Sequence, residues 1–257
     1  MSFNINGIGE SICIISGGKY DKKIICVNSN KNEDKESDEE LFKEFKHLKI
    51  SNGTLIPYPN KNRERDILYF IGPSGSGKSY LMKDYIKNYR KVHPNNNIYV
   101  FSKVKNDKSL KDVEKYLKYF NMDTMNEALD MDDFENNILI IMDDTDTIRD
   151  KNILENVNKL RDQILECGRH KNISLCITSH IGAKGHSTKT ILNETHQIII
   201  YPKSGSNYKY LLKEYLNLDN KQLQKIKNMD TRYIIFVRQY PMILYSENEI
   251  YFLKDFN

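Results

Sequence analysis

The sequence has no apolar run approaching the roughly 20 residues needed to cross a bilayer. Its first ten residues, MSFNINGIGE, lack a basic stretch followed by an apolar one. A membrane span and a cleaved secretion signal are therefore not expected. Cysteine is scarce: only Cys13, Cys26, Cys167 and Cys176 occur, and none forms a CxxC pair. Three of them sit in apolar runs (SICII, KIICV, SLCIT), where cysteine serves as a small buried hydrophobe. A zinc site needs closer-spaced Cys and His ligands, so free thiols in a reducing compartment are expected. Charge of one sign is also missing. The 39 Lys+Arg against 35 Asp+Glu leave a net charge of +4, too mild for a polybasic nucleic-acid binder. Any nucleic-acid contact must come from a local patch.

What is present is an apolar share of 39% in 257 residues. That excludes a disordered chain and suits one α/β domain with small additions. Two β-like runs, 11–16 and 22–27, flank Gly17-Gly18 and predict a hairpin. An acidic, Lys-rich stretch, 30–46, reads as a solvated linker whose second half could be helical with Leu41, Phe42 and Phe45 on one face. Residues 50–57 suggest another strand. From Asp66 onward strands alternate with helices. Strands are predicted at 67–71, 98–102, 138–142, 173–178 and 197–201, and amphipathic helices at 79–93, 109–120 and 148–167. This alternation predicts a mostly parallel five-stranded core sheet flanked by helices, with right-handed crossovers. After Pro202, two short helices (208–216, 220–226) and three strands (232–237, 242–245, 249–252) are expected to pack on the sheet edge or extend it. The chain then divides into an N-terminal β-rich appendage and linker (1–65), a core (66–202) and a C-terminal α+β extension (203–257).

The strongest chemical signal is Gly72-Pro73-Ser74-Gly75-Ser76-Gly77-Lys78-Ser79, followed by Tyr80. It fits GxxxxGK[ST], follows a predicted strand and opens a predicted helix. The glycines let the backbone curl so that its N–H groups approach phosphate oxygens, and the helix dipole adds positive charge at the same point. Lys78 reaches the β- and γ-phosphates of a nucleoside triphosphate, and the Ser79 hydroxyl ligates Mg2+. The second signal is ILIIMDD, an apolar strand running into Asp143 and Asp144. A buried strand holds a carboxylate rigidly, so Asp143 is the expected inner- or outer-shell Mg2+ ligand, and Asp144 the base for an attacking water. Without the P-loop, the same run would equally describe a strand entering a loop. The third signal is GRHKNISLCITSH, residues 168–180, in which a helix end leads into a strand with polar residues at its tip. Ser179 and His180 stand where a γ-phosphate sensor belongs. His180 is otherwise an ordinary loop residue.

GPSGSGKS, ILIIMDD and GRHKNISLCITSH, in this order, resemble the FtsK–HerA superfamily of P-loop ATPases, and within it the genome-packaging ATPases of poxviruses and other large DNA viruses. The likeness covers about half the chain, from Ile67 to Tyr201. It implies ATP and Mg2+ as ligands, with Lys78, Ser79 and Asp143-Asp144 in the Walker A and Walker B roles. It also implies that Arg169 falls where the superfamily has an arginine acting on a neighbouring subunit's nucleotide. Arg149 and Arg161 lie on the same helix, and Arg169 could instead cap the helix C-terminus. Glutamine is common in the family where this chain has His180, and histidine can still orient water or donate to phosphate.

The resemblance leads to an expected motor: a homo-oligomeric ring that hydrolyses ATP and translocates double-stranded DNA into a capsid, with a capsid or portal component as partner. The host cytoplasm, in a viral factory, or the virion would be its location. A P-loop switch without translocation is the competing reading. A small-molecule kinase fits less well, since the chain has few arginines for a lid. Residues 181–190, with Lys184, His186 and Lys189, could form a pore-facing or a sensor loop.

Overall fold

The computed structural model describes residues 1–256 except 6, 29–44, 105–106, 123–126, 183–185 and 205–207. The predicted linker helix around Leu41 and Phe42, and Lys184 of the candidate pore loop, lie outside the described residues. The strands follow the β-branched and aromatic runs. In chain order they are β1 (Ser2–Asn4), β2 (Glu10–Ser16), β3 (Ile24–Asn28), β4 (His47–Lys49), β5 (Thr54–Pro57), β6 (Ile67–Ile71), β7 (Ile98–Ser102), β8 (Leu117–Phe120), β9 (Leu139–Asp143), β10 (Ser174–Ser179), β11 (Gln197–Ile200), β12 (Ile234–Val237), β13 (Ile243–Ser246) and β14 (Glu249–Phe252). The helices are α1 (Lys78–Val92), α2 (Lys151–Cys167), α3 (His186–Glu194), α4 (Lys209–Leu216) and α5 (Asn220–Asn228).

A small antiparallel sheet has the order β1-β3-β2-β5, and a ten-stranded sheet has the order β4-β14-β13-β12-β11-β6-β10-β9-β7-β8. From β11 through β8 the large sheet is parallel. The C-terminal strands extend it antiparallel, and β4 pairs with β14 at its far edge. Central β6 alternates faces along the pleat. Leu68 and Phe70 pack on the side of α1 and the N-terminal sheet. Ile67, Tyr69 and Ile71 pack toward α2 and the C-terminal helices. All five are at most 1% exposed, as expected of a parallel strand covered on both sides. Full burial of each such side chain contributes about 1.5–3 kcal/mol, which fixes β6 at the centre of the sheet.

Two local expectations change. The amphipathic helix predicted at 109–120 is a 3-10 helix at Lys108–Tyr116, followed by the edge strand β8. Leu110 and Val113 are buried at i, i+3 spacing, which suits a 3-10 turn as well as an α-helix. Phe120 stacks on Phe101 with centroids 4.6 Å apart, so β8 joins β7 as a sixth parallel strand. The helix predicted from 148 starts at Lys151, because the Asp150 side chain accepts from Asn152 N and Ile153 N.

The register sets the site. Ile71 pairs with Ser179, Met142 with Ile177, and Asp143 with Ser102. In parallel strands this brings the residues that end β6, β7, β9 and β10 to one edge of the sheet. Ligands of open α/β sheets bind at this carboxyl edge.

Candidate nucleotide site

Gly72 leaves β6 with its N–H donating to Ser179 O (3.0 Å), and Ser76 N donates to Pro73 O (3.2 Å), turning the loop back. Gly75 and Gly77 have φ of 77° and 104°, where side chains are disfavoured. A Cβ on Gly72 would stand 2.7 Å from Ser76 Oγ and 2.9 Å from the Tyr201 ring, so that glycine is required by close approach. Helix α1 starts at Lys78 with no side-chain cap, which leaves its first N–H groups for a ligand. Ser74, Gly75 and Tyr80 are exposed, Pro73, Ser76, Gly77 and Ser79 half-buried, and Lys78 buried. Lys78 Nζ donates to Gly72 O (2.7 Å) and reaches Pro73 O (3.4 Å). Ser76 Oγ is buried without a hydrogen-bond partner among the described residues. A curled glycine loop, an uncapped helix start and a buried ammonium resting on carbonyls fit a polyphosphate.

The acid pair ends β9. Asp143 accepts from Thr178 Oγ1 (2.8 Å) and Ser102 Oγ (3.2 Å). Burial, more than the neighbouring Asp144 charge, pushes the Asp143 carboxyl above its ordinary value, while the Thr178 and Ser102 hydroxyls oppose the shift. Asp144 is left-handed, with φ 45°, an uncommon backbone for an aspartate and one often found at working sites. Its N–H donates to Thr178 Oγ1 (2.8 Å), and its carboxylate oxygens lie 3.6 Å from Lys78 Nζ and 3.1 Å from His180 Nε2. Thr178 thus ties both acids to β10. The structure therefore gathers Lys78, Asp143, Asp144 and His180, with Ser79 in the adjoining first turn of α1.

Two predicted residues stand apart from this cluster. The Ser179 hydroxyl lies 2.8 Å from Asp146 Oδ2 and 2.9 Å from Ile181 O, facing away from Asp144. Arg169 lies in the 3-10 turn after α2, exposed and 4.0 Å from Glu64. Glu64 precedes β6 and so marks the opposite edge of the sheet. The 17 residues of α2 span about 25 Å, too far for Arg169 to reach its own chain's P-loop. Arg161 is buried and donates to Asn158 Oδ1 (2.7 Å), whereas Arg149 is exposed.

Thr178, Ser102 and Asp146, which hold these acids and Ser179, lie in none of the three motifs' expected roles. Thr178 lies inside the apolar run SLCIT, and a polar residue at that point was the one available signal. Among the described residues no group of three or more His, Cys, Asp or Glu side chains could hold a metal. A Mg2+ ion would therefore take Ser79 and Asp143 from the protein and draw further ligands from phosphate and water, a donor set suited to that ion.

No family model matches the chain. The uncharacterized protein V3 of the Sputnik virophage is 34% identical over 250 residues, covering 95% of this chain and 96% of V3. The cytoplasmic domain of the type VII secretion ATPase EccC of Thermomonospora curvata is 13% identical, with a TM-score of 0.53 over 78% of this chain and 28% of its own. The genome-packaging NTPase B204 of Sulfolobus turreted icosahedral virus 2, solved with ATP-γS, is 18% identical, with a TM-score of 0.47 over 72% of this chain and 97% of its own. The chain belongs to one family with the Sputnik virophage protein V3, and it has the mixed α/β fold of the EccC P-loop ATPase domain.

Proposed function

We propose that the protein is a Mg2+-dependent ATPase that works in a homo-oligomeric ring as the motor moving double-stranded DNA into a viral capsid. The observation that carries the ATPase part is the convergence of Lys78 and His180 on the Asp144 carboxylate beside the P-loop, at 3.6 Å and 3.1 Å. A γ-phosphate entering there meets a cation, a base and a donor at once. The motor part is supported by the order of the three motifs and by a family member in a virophage.

In this reading Lys78 exchanges the Gly72 and Pro73 carbonyls for β- and γ-phosphate oxygens. Mg2+ held through Ser79 and Asp143 would neutralise charge on the same oxygens. Asp144 orients a water in line with the γ-phosphorus and takes its proton as the new P–O bond forms. The bond to the β–γ bridging oxygen breaks, and ADP leaves with the electron pair. His180 donates to a γ-phosphate oxygen. Thr178 keeps both carboxylates in place, and Arg169 of a neighbouring copy completes the charge balance at the site. Residues 66–202 form the ATPase core, with 1–65 and 203–257 as additions. A capsid or portal component is the docking partner, in the viral factory or the virion. Among the described residues no helix is long and apolar enough to cross a membrane.

The test is the ATPase rate of the oligomer with and without linear duplex DNA. The motor reading predicts stimulation. A confirmed oligomer whose hydrolysis ignores DNA would leave a P-loop switch in its place.

A further inference from the structure

We propose that Arg232, carried by the C-terminal segment, binds the phosphate–ribose portion of the nucleotide held by its own chain, and that the cleft beside it is the nucleoside subsite. The inference rests on the ATP reading and adds residues that lie in none of the motifs.

The direction of the triphosphate is set by the cluster already described. Lys78, Asp144 and His180 place the γ-phosphate on the β9–β10 side of the loop, so the nucleoside leaves on the other side. A cleft opens there, lined among others by Ser76, Gly77, Tyr80, Tyr201, Arg232 and Glu247. Its outer wall is the N-terminal sheet, through Ser16 and Thr54. A second hollow next to it shares Ser76 and Arg232 and reaches Gly75. The Arg232 guanidinium hangs over the P-loop: its Nη2 would stand 3.7 Å from a Cβ on Gly77.

The surroundings hold the main chain of the arginine and leave its guanidinium without a carboxylate partner among the described residues. Glu247 Oε2 accepts from Arg232 N (2.7 Å) and from Thr231 Oγ1 (3.2 Å), so the glutamate holds the main chain. Among the described residues no carboxylate pairs with the guanidinium, although the side chain is exposed. The walls are cross-tied: Tyr233 OH donates to Leu55 O (2.6 Å), and Leu55 N donates to Glu247 O (2.7 Å). An arginine lying over a phosphate loop, with no counter-ion among the described residues, is suited to an anionic ligand, which its planar fork can bind bidentately. Nucleotide bound this way touches the N-terminal sheet, the P-loop core and the C-terminal extension together.

The experiment is calorimetric titration of the full chain with MgATP and, separately, with magnesium tripolyphosphate, which has the phosphates without the nucleoside. Wild type should bind MgATP at least about tenfold more tightly than tripolyphosphate. Arg232→Ala should weaken MgATP by about tenfold or more, with partial recovery in Arg232→Lys. Ser16→Trp, a bulky change at an exposed position of the cleft wall, should weaken MgATP and leave tripolyphosphate unchanged. The melting temperatures of these surface variants without ligand should match wild type. Equal wild-type affinity for the two ligands, or wild-type affinity for MgATP in Arg232→Ala, would overturn the subsite and leave the ATP reading standing. A wild type that binds neither ligand would overturn both.

Discussion

Lys78 Nζ lies 3.6 Å from Asp144 Oδ1, joining the first residue of α1 to the acid that follows β9. The contact puts a candidate phosphate-binding cation directly beside a candidate base. The two residues should therefore fail differently. Lys78→Ala should lose tight MgATP binding as well as hydrolysis. Asp144→Asn should keep binding and lose about 10²–10⁴-fold in turnover, the usual contribution of a positioned base. Nucleotide titration beside phosphate release separates the two. Equal binding loss in both variants would contradict the assigned roles.

Thr178 is the residue whose loss should be felt without any contact to nucleotide. It donates to Asp143 Oδ1 at 2.8 Å and accepts from Asp144 N at 2.8 Å. Thr178→Val keeps the shape and removes both bonds, leaving a buried acceptor and donor unpaired at a cost of about 1–3 kcal/mol. Hydrolysis should fall about ten- to a hundredfold while Thr178→Ser recovers most of it. A Val variant with wild-type turnover would remove Thr178 from the site.

Arg169 stands at the far edge of the sheet from its own P-loop, so in the proposed ring it acts on a neighbouring copy. Lys78→Ala and Arg169→Ala should each be inactive, and mixing them in equal amounts should restore about a quarter of the wild-type rate, since one interface in four then pairs an intact loop with an intact finger. Steady-state hydrolysis of the mixture reads this out. Full activity in Arg169→Ala alone would make it a surface residue.

Asp66 gives a pH-dependent prediction away from the site. Its Oδ2 accepts from Asn60 N (3.0 Å) and Tyr85 OH (3.2 Å), while its buried Oδ1 has no partner among the described residues. Burial pushes its carboxyl up to about 6 from an ordinary 3.8. The folded chain thus holds a proton that the unfolded chain releases at lower pH. Its stabilising effect is complete below about pH 4 and is lost as the pH rises through about 6, at up to about 1.4 kcal/mol per pH unit. Among the other acids, Asp143 and Asp84 are raised as well while Glu135 and Glu249 are lowered and slope the opposite way, so the comparison is with Asp66→Asn. Denaturant midpoints measured from pH 4 to 7 should show wild type losing stability relative to that variant. Parallel pH profiles would contradict the assignment.

Much of the central sheet was legible because β6, β9, β10 and β11 are short apolar runs bounded by turns. The P-loop was legible because its spacing is dictated by phosphate geometry. β8 was not, since the i, i+3 spacing of Leu110 and Val113 serves a 3-10 turn equally well and masked the strand after it. Thr178 and Ser102 were hidden because their role depends on which strands become neighbours, and that register is absent from any single segment. Arg232 reaches Gly77 across about 150 residues of sequence, a tertiary relationship with no local signature. The pairing of β4 with β14 is invisible for the same reason.

The most direct test is phosphate release from MgATP by the purified protein, wild type beside Lys78→Ala, with and without linear duplex DNA. The account predicts hydrolysis that rises with DNA in wild type and is absent in the variant under both conditions. Wild-type release no greater than that of Lys78→Ala, with DNA or without it, would contradict it.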